Sequence, residues 1–296
     1  MNIKDYHLKK CKMLTNDSAG QYKNGQKARK FFICCLIPYN YLSDLIDMLK
    51  AVLFDLDNTL ILYDEMKFIS GYFPVAAEKF ADVIPPEKFG EKLLLATMEL
   101  HKNDGSMTNR ERFLQAFSSS VQLSPGEIWN RFDKFYSEDF DRFKDMVATP
   151  ACAHEVFRYI RDKGLKIVIA TNPIWPLSAQ LRRLSWVGLG DIEVDLVTHI
   201  DNMTFCKPQL GYYHQICSLI NEKPGDCLMV GDDPANDMVA ARIGIKTYLT
   251  DDSVKHAEKP RELSKQVIGN NTEGIPPADF KGPLACVIEA VDNLLS

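Results

Sequence analysis

From residue 51 onward, short apolar runs alternate with stretches whose apolar residues return every three to four positions. The runs are residues 51–56 (AVLFDL), 165–170 (LKIVIA), 194–198 (VDLVT), 227–230 (CLMV) and 246–249 (KTYL). Each is apolar at both odd and even positions, as a strand covered on both faces of a parallel sheet requires. Strands alternating with helical patterns predict βαβ units, hence an α/β protein with a Rossmann-like parallel sheet. The punctuation agrees: Pro150 precedes a helical stretch that stops at Gly164, and Gly244 closes one that begins near Asn236.

Between the first and second runs lies a long insertion, from Ile61 to about Val147, with helical patterns and no good strand. Ser124-Pro125-Gly126-Glu127 has the form of a capping box, with proline at the first helical position and Leu123 and Ile128 at the flanking staple positions. The helix it opens places Trp129, Phe132, Phe135 and Tyr136 on its apolar side, and further helices are expected over residues 67–80, 86–101 and 108–117. An insertion after the first strand lies over the carboxyl edge of the sheet, where open α/β proteins bind ligands.

Composition narrows the class. The 296 residues are 46% hydrophobic and 25% charged with a net charge of −5, which disfavours a nucleic-acid or membrane surface as the main partner. No apolar run reaches the roughly 18 residues a spanning helix needs. The eight cysteines form no CxxC pair and no zinc-ligand spacing with histidine, and read as reduced thiols of a soluble cytoplasmic protein. Residues 1–30 differ, with a local balance of +6 that leaves −11 for the rest of the chain. The apolar patch at residues 31–37 lies deep in the chain and lacks a small-residue cleavage site, which argues against a signal peptide. Met48 stands just before the first buried run, so residues 1–47 are expected to be a poorly ordered N-terminal extension.

The chemistry-bearing residues fall where the strands end. Asp55 and Asp57 end the first, Thr171 and Asn172 follow the second, Lys207 lies beyond the third, and Asp232, Asp233 and Asp237 follow the fourth. Singly, each has a structural reading as a cap, a turn or a solvated loop; together they converge on one crevice. In order and spacing, Asp55-Leu56-Asp57-Asn58-Thr59-Leu60, Thr171-Asn172, Lys207-Pro208 and Gly231-Asp232-Asp233 with Asn236-Asp237 resemble the four motifs of the haloacid dehalogenase superfamily. The resemblance spans nearly everything from Met48 onward. It implies a core of residues 48–62 and 147–296 and a helical cap of residues 63–146.

What the resemblance implies is a Mg²⁺-dependent phosphohydrolase acting on a small phosphorylated metabolite. Asp55 would attack phosphorus and bind the metal, while Asp57 would exchange a proton with the leaving group and offer its backbone carbonyl to the metal. Thr171 and Asn172 would hold the phosphoryl group, Lys207 would offset its charge, and Asp232 would complete the oxygen-ligand set. Asp237, favoured over Asp233, would bind metal through water or hold Lys207, and Thr59 would steady the turn. The acid at position 57 argues for cleavage of a C–O–P bond, since a halide leaving group needs no proton. A phosphomutase or phosphotransferase of the same family stays open; a dehalogenase or a silent binding protein is less favoured. Substrate choice falls to the cap, where His101, Lys102, Asn103, Arg110 and Arg112 read either as substrate contacts or, preferably, as solvated surface. Tyr63, Asp64 and Glu65 are placed as a flap, and Pro173, Trp175 and Pro176 as an apolar wall of the entrance, with Trp175 reading equally as core.

Overall fold

The computed structural model describes residues 48–252 and 274–296; the N-terminal extension, with its basic run and Cys11, Cys34 and Cys35, lies outside the described residues. Six parallel strands form one sheet: β1 (Ala51–Phe54), β2 (Lys166–Ile169), β3 (Leu196–Val197), β4 (Cys227–Gly231), β5 (Lys246–Thr250) and β6 (Phe280–Gly282), in the order β3-β2-β1-β4-β5-β6. β1 is flanked by β2 and β4 in register, with Phe54 opposite Ile169 on one side and Val230 on the other. Strand order reverses at β1, which opens a crevice at its carboxyl end.

Side-chain alternation divides the strands between two apolar layers. Val52, Phe54, Ile167, Ile169, Leu228 and Val230 pack with Val156, Phe157 and Ile160 of α5 (Ala153–Asp162) and Val287 and Val291 of α8 (Val287–Leu295). Ala51, Leu53, Val168 and Met229 face Tyr212, Tyr213 and Ile216 of α7 (Leu210–Ile220). Both faces are covered, which is why the strands read as unbroken apolar runs. The exception is β6: Phe-Lys-Gly at the sheet edge is half-exposed and gives no run to detect. The stretch ahead of Gly244 is a 3₁₀ turn, Met238–Ile243, with Gly244 at φ 91°, where a side chain would be strained.

Among the described residues, four helices precede α5 in the long segment between β1 and β2: α1 (Glu65–Glu78), α2 (Pro86–Leu100), α3 (Asn109–Ser118) and α4 (Pro125–Glu138). Asp64 caps α1 by accepting from the Lys67 amide at 3.0 Å. Thr108 and Ser124 head reciprocal capping boxes with Glu111 and Glu127 on α3 and α4. Ile128, Phe132 and Phe135 of α4 join Phe80, Phe89 and Phe117 in a separate apolar cluster rich in ring contacts. Backbone bonds between Leu62 and Ala148, 2.8 and 2.9 Å in the two directions, pair the chain where it leaves for this segment and where it returns. A second attachment lies at the α2–α3 turn. Buried Asn109 donates to the carbonyls of Pro173 and Phe205 at 3.4 and 3.2 Å, and Asn103 donates to Asn109 at 2.9 Å.

Candidate active site

Because all six strands run the same way, the loops after β1, β2, β3 and β4 emerge on one edge. The loop after β1 turns at once: Asn58 takes φ 60°, a left-handed conformation that asparagine tolerates, and the amides of Leu60 and Ile61 bond back to the Leu56 carbonyl. Asp55 therefore stays at the strand tip, 7% exposed, and Asp57 is presented beside it.

Lys207, 1% exposed, bridges Asp55 at 2.7 Å and Asp237 at 2.6 Å. Burial opposes its charge, but Asp237 and Asp55 outweigh burial and hold its pKa well above the ordinary lysine value. Asp55 is pushed up to about 7 by burial, against the pull of Lys207, with Asp237 and Asp57 adding repulsion. Asp237 is raised too, by burial first and then by Asp233 and Asp232, against Lys207. Carboxylate oxygens of Asp55, Asp232 and Asp237 lie within 4.8 Å of one another. Three crowded carboxylates and a single bridging ammonium form a hard, anionic oxygen donor set of the kind that fits a divalent cation.

The loops hold one another in place. Thr59, fully buried, donates to Asp232 Oδ1 at 3.3 Å. Asp233 accepts from the Ala235 amide and the Asn236 side chain, both at 2.9 Å, which shapes the turn, while its own amide donates to Asp237 at 3.1 Å. Gly231 permits the approach of Asp237, since a Cβ there would fall 2.1 Å from the carboxylate. Thr171 is fixed through its carbonyl, which accepts from Thr198 at 2.6 Å and Tyr212 at 2.8 Å; its hydroxyl stands 3.5 Å from Asp57. Asn172 lines the same crevice, with Oδ1 buried and unpartnered.

The structure adds three residues that the motifs did not supply. Tyr63 donates to Asp57 at 2.6 Å. Arg183 of α6 (Leu177–Trp186), 3% exposed, donates to Asp57 through both terminal nitrogens and to Gln180 at 3.1 Å. Its guanidinium carbon lies 4.6 Å from the centre of the Trp175 ring, a cation–π contact. Tyr63 was expected only as part of a flap, and Arg183 and Gln180 sit on a helix where polar residues ordinarily face solvent.

The polar cluster between α2 and α3 divides. Lys102 and Arg112 pair with Glu99, and Arg110 pairs with Asp201 while lying over Trp129. Asn103 is 2% exposed and structural, a departure from the solvated reading that follows from its bond to Asn109. His101 lines the cavity and bonds the Lys207 carbonyl at 3.2 Å.

A cavity of about 250 Å³ opens from Asp55, Asp57 and Lys207 into the space among α1 to α4. Among the described residues, no helix is long and apolar enough to cross a membrane.

Comparison with known proteins agrees with this geometry. The chain is 28% identical over 214 residues to a ribulose-1,5-bisphosphate 5-phosphatase of Halopiger xanaduensis, covering 70% of this chain and 86% of the relative. It is 26% identical over 161 residues to haloacid dehalogenase-like hydrolase domain-containing protein 3 of Xenopus laevis, covering 53% and 62%. The fold is similar to the crystal structure of the defluorinating L-2-haloacid dehalogenase Rha0230, with a TM-score of 0.50, 15% identity and coverage of 82% and 95%. The family model of the haloacid dehalogenase-like hydrolases matches residues 49–244, and the chain belongs to that family of hydrolases.

Proposed function

We propose that the chain is a Mg²⁺-dependent phosphohydrolase that cleaves a small phosphate monoester through an aspartyl-phosphate formed on Asp55. The observation that carries this reading is the placement of Asp55: a buried carboxylate at the β1 tip, bonded to Lys207 and crowded by Asp232 and Asp237, with a second carboxylate, Asp57, facing the same cavity. The relative named as a ribulose-1,5-bisphosphate 5-phosphatase supports phosphoryl chemistry.

Asp55 attacks phosphorus in line, and the ester oxygen leaves with the proton that Asp57 supplies; Asp57 then takes a proton from the water that hydrolyses the acyl phosphate. Tyr63 and Arg183 hold the Asp57 carboxyl in a fixed direction. Lys207 offsets the charge of Asp55 and of the phosphoryl oxygens, and the Thr171 hydroxyl and Asn172 amide donate to those oxygens. Asp55, Asp232 and the Asp57 carbonyl would hold Mg²⁺, with Asp237 joining them through water or through Lys207; the ion supplies charge neutralisation that lets an anionic nucleophile approach a phosphate dianion.

In this reading residues 63–146 are a cap over a core of residues 48–62 and 147–296, and residues 1–47 are an appendage. The free thiols Cys206, Cys217 and Cys227, all buried, suit a cytoplasmic setting. The test is release of phosphate from a panel of small esters with and without Mg²⁺, for the wild type and Asp55→Asn. Metal-dependent release abolished by the substitution, with acid-trapped phosphoprotein in the wild type only, is expected. A folded, metal-loaded protein that releases nothing from any ester sinks the reading; phosphate passed between positions of one sugar without release replaces it with the mutase.

A further inference from the structure

Resting on the phosphohydrolase reading, we infer that the substrate is an amphiphilic phosphate monoester whose leaving alcohol carries an aromatic or aliphatic body and no second phosphate. The cavity that begins at Asp55 and Lys207 is walled by Phe68, Tyr72, Trp129, Phe132, Tyr136 and Trp175. The rings are locked against one another: Tyr72 and Trp175 stack at 5.6 Å, and Phe68 and Trp175 at 6.0 Å. An apolar cavity of on the order of 150 Å³ already stays dry and accepts a ring the size of benzene; this one holds about 250 Å³ and opens onto the catalytic carboxylates.

Polar groups in the walls are spent on the protein itself. Tyr72 and Tyr136 bond each other's hydroxyls at 2.9 Å, Thr97 donates to the Leu93 carbonyl at 2.9 Å, and His101 bonds the Lys207 carbonyl. A polyhydroxylated leaving group would leave several hydroxyls in this chamber short of partners, at a cost an apolar body does not incur. The cations bordering the cavity among the described residues, Arg183 and Lys207, are committed to Asp57, Asp55 and Asp237. A second phosphate would need charge-assisted donors that are not available. Buried polar atoms without a partner do occur along the cavity, but they belong to Asn172 and Asn236 of the catalytic loops, to Arg183, which bonds Asp57, and to Gln180, which bonds Arg183. The floor is therefore made for a polar head and the walls for an apolar body.

The experiment uses primary-alcohol esters, so that leaving-group reactivity stays nearly constant: ethyl, butyl, hexyl and 2-phenylethyl phosphate against glycerol 3-phosphate and a hexose 6-phosphate. In the wild type, kcat/KM is expected to rise about fourfold per added methylene until the chamber is full, and 2-phenylethyl phosphate is expected to exceed the hexose ester by at least about tenfold. Trp175→Ala should shrink the ratio of 2-phenylethyl to ethyl phosphate. A binding arm needs no turnover: Trp129 and Trp175 both line the chamber, so 2-phenylethyl phosphate should change tryptophan emission of Asp55→Asn protein at far lower concentration than the hexose ester. Equal or better turnover and binding of the hexose ester overturns the inference and leaves the hydrolase reading intact. Absence of phosphate release from every ester strikes the hydrolase reading, while the emission titration still decides the chamber. The wild-type series and the titration decide the outcome even if Trp175→Ala fails to fold.

Discussion

The floor and the walls of one cavity are built on opposite principles. The floor gathers four carboxylates and a lysine from loops that are far apart in sequence, and each is held by hydrogen bonds that only that geometry allows. The walls gather rings mostly from α1 and α4, helices close together in sequence, with Trp175 added from the loop after β2, and they are held chiefly by shape and dispersion. A floor of this kind tolerates almost no substitution, whereas a wall can change its residues and keep its character.

That contrast can be broken or sharpened by measurement. The largest effect should come from Asp55→Asn, which removes the proposed nucleophile; steady-state turnover should fall by about 10⁴-fold or more. A residual rate within tenfold of wild type would mean that the floor is not organised around Asp55. Next, Lys207→Met leaves Asp55 and Asp237 facing each other without their shared cation, and denaturant unfolding without metal should show a loss of about 3–5 kcal/mol. A smaller loss, about 1–3 kcal/mol, is expected for Asn109→Ala, which strands the buried carbonyls of Pro173 and Phe205 at the α2–α3 attachment. Smaller again is Ser124→Ala, about 1 kcal/mol from the cap of α4. Starting the chain at Met48 should leave both turnover and unfolding unchanged.

The floor also has a signature in pH. Asp55 binds its proton near pH 7 in the fold and near 3.8 when unfolded, so between those values the folded state carries the extra proton. Its contribution to stability is full below 3.8 and lost as pH rises through 7. With metal chelated, the melting temperature of the wild type should therefore fall across this window more steeply than that of Asp55→Asn. Added Mg²⁺ should flatten the fall, because a cation favours the ionised carboxylates.

The same contrast explains what could be read from the sequence. Asp55, Asp57, Thr171, Lys207 and Asp232 each stand at or beyond the end of a strand, and the strands announce themselves as apolar runs, so their meeting at one edge was legible. The capping boxes at Thr108 and Ser124 differ in what was read: the box at Ser124 was legible through its proline and glutamate, whereas for residues 108–117 only the helical period was read and the box at Thr108 was missed. Arg183 and Gln180 were not legible, because an arginine three residues from a glutamine on an amphipathic helix has the spacing of a solvated face, and only the turn of α6 onto Asp57 buries them. Phe68 and Tyr72 were opaque for another reason: a ring that lines a chamber recurs with the same helical period as a ring that fills a core; Trp175, close behind Asn172 in the loop after β2, was legible as a wall residue, and it lines the cavity. Thr59 was read as a turn residue, and its bond to Asp232 joins loops 173 positions apart, which no local pattern encodes.

The two backbone bonds between Leu62 and Ala148 have a consequence for how such a protein diversifies. Outgoing and returning chain pass through one doorway, so the helical segment can be exchanged between relatives as a cassette with two adjacent junctions. The incoming segment must match the carbonyls that Asn109 grips and replace the hydroxyl that Tyr63 gives Asp57, but it need not contribute Asp55, Lys207 or Asp232. Most of the chamber's lining can then be redrawn while the carboxylate floor is kept, with Tyr63 and Trp175 as pieces that cross the boundary.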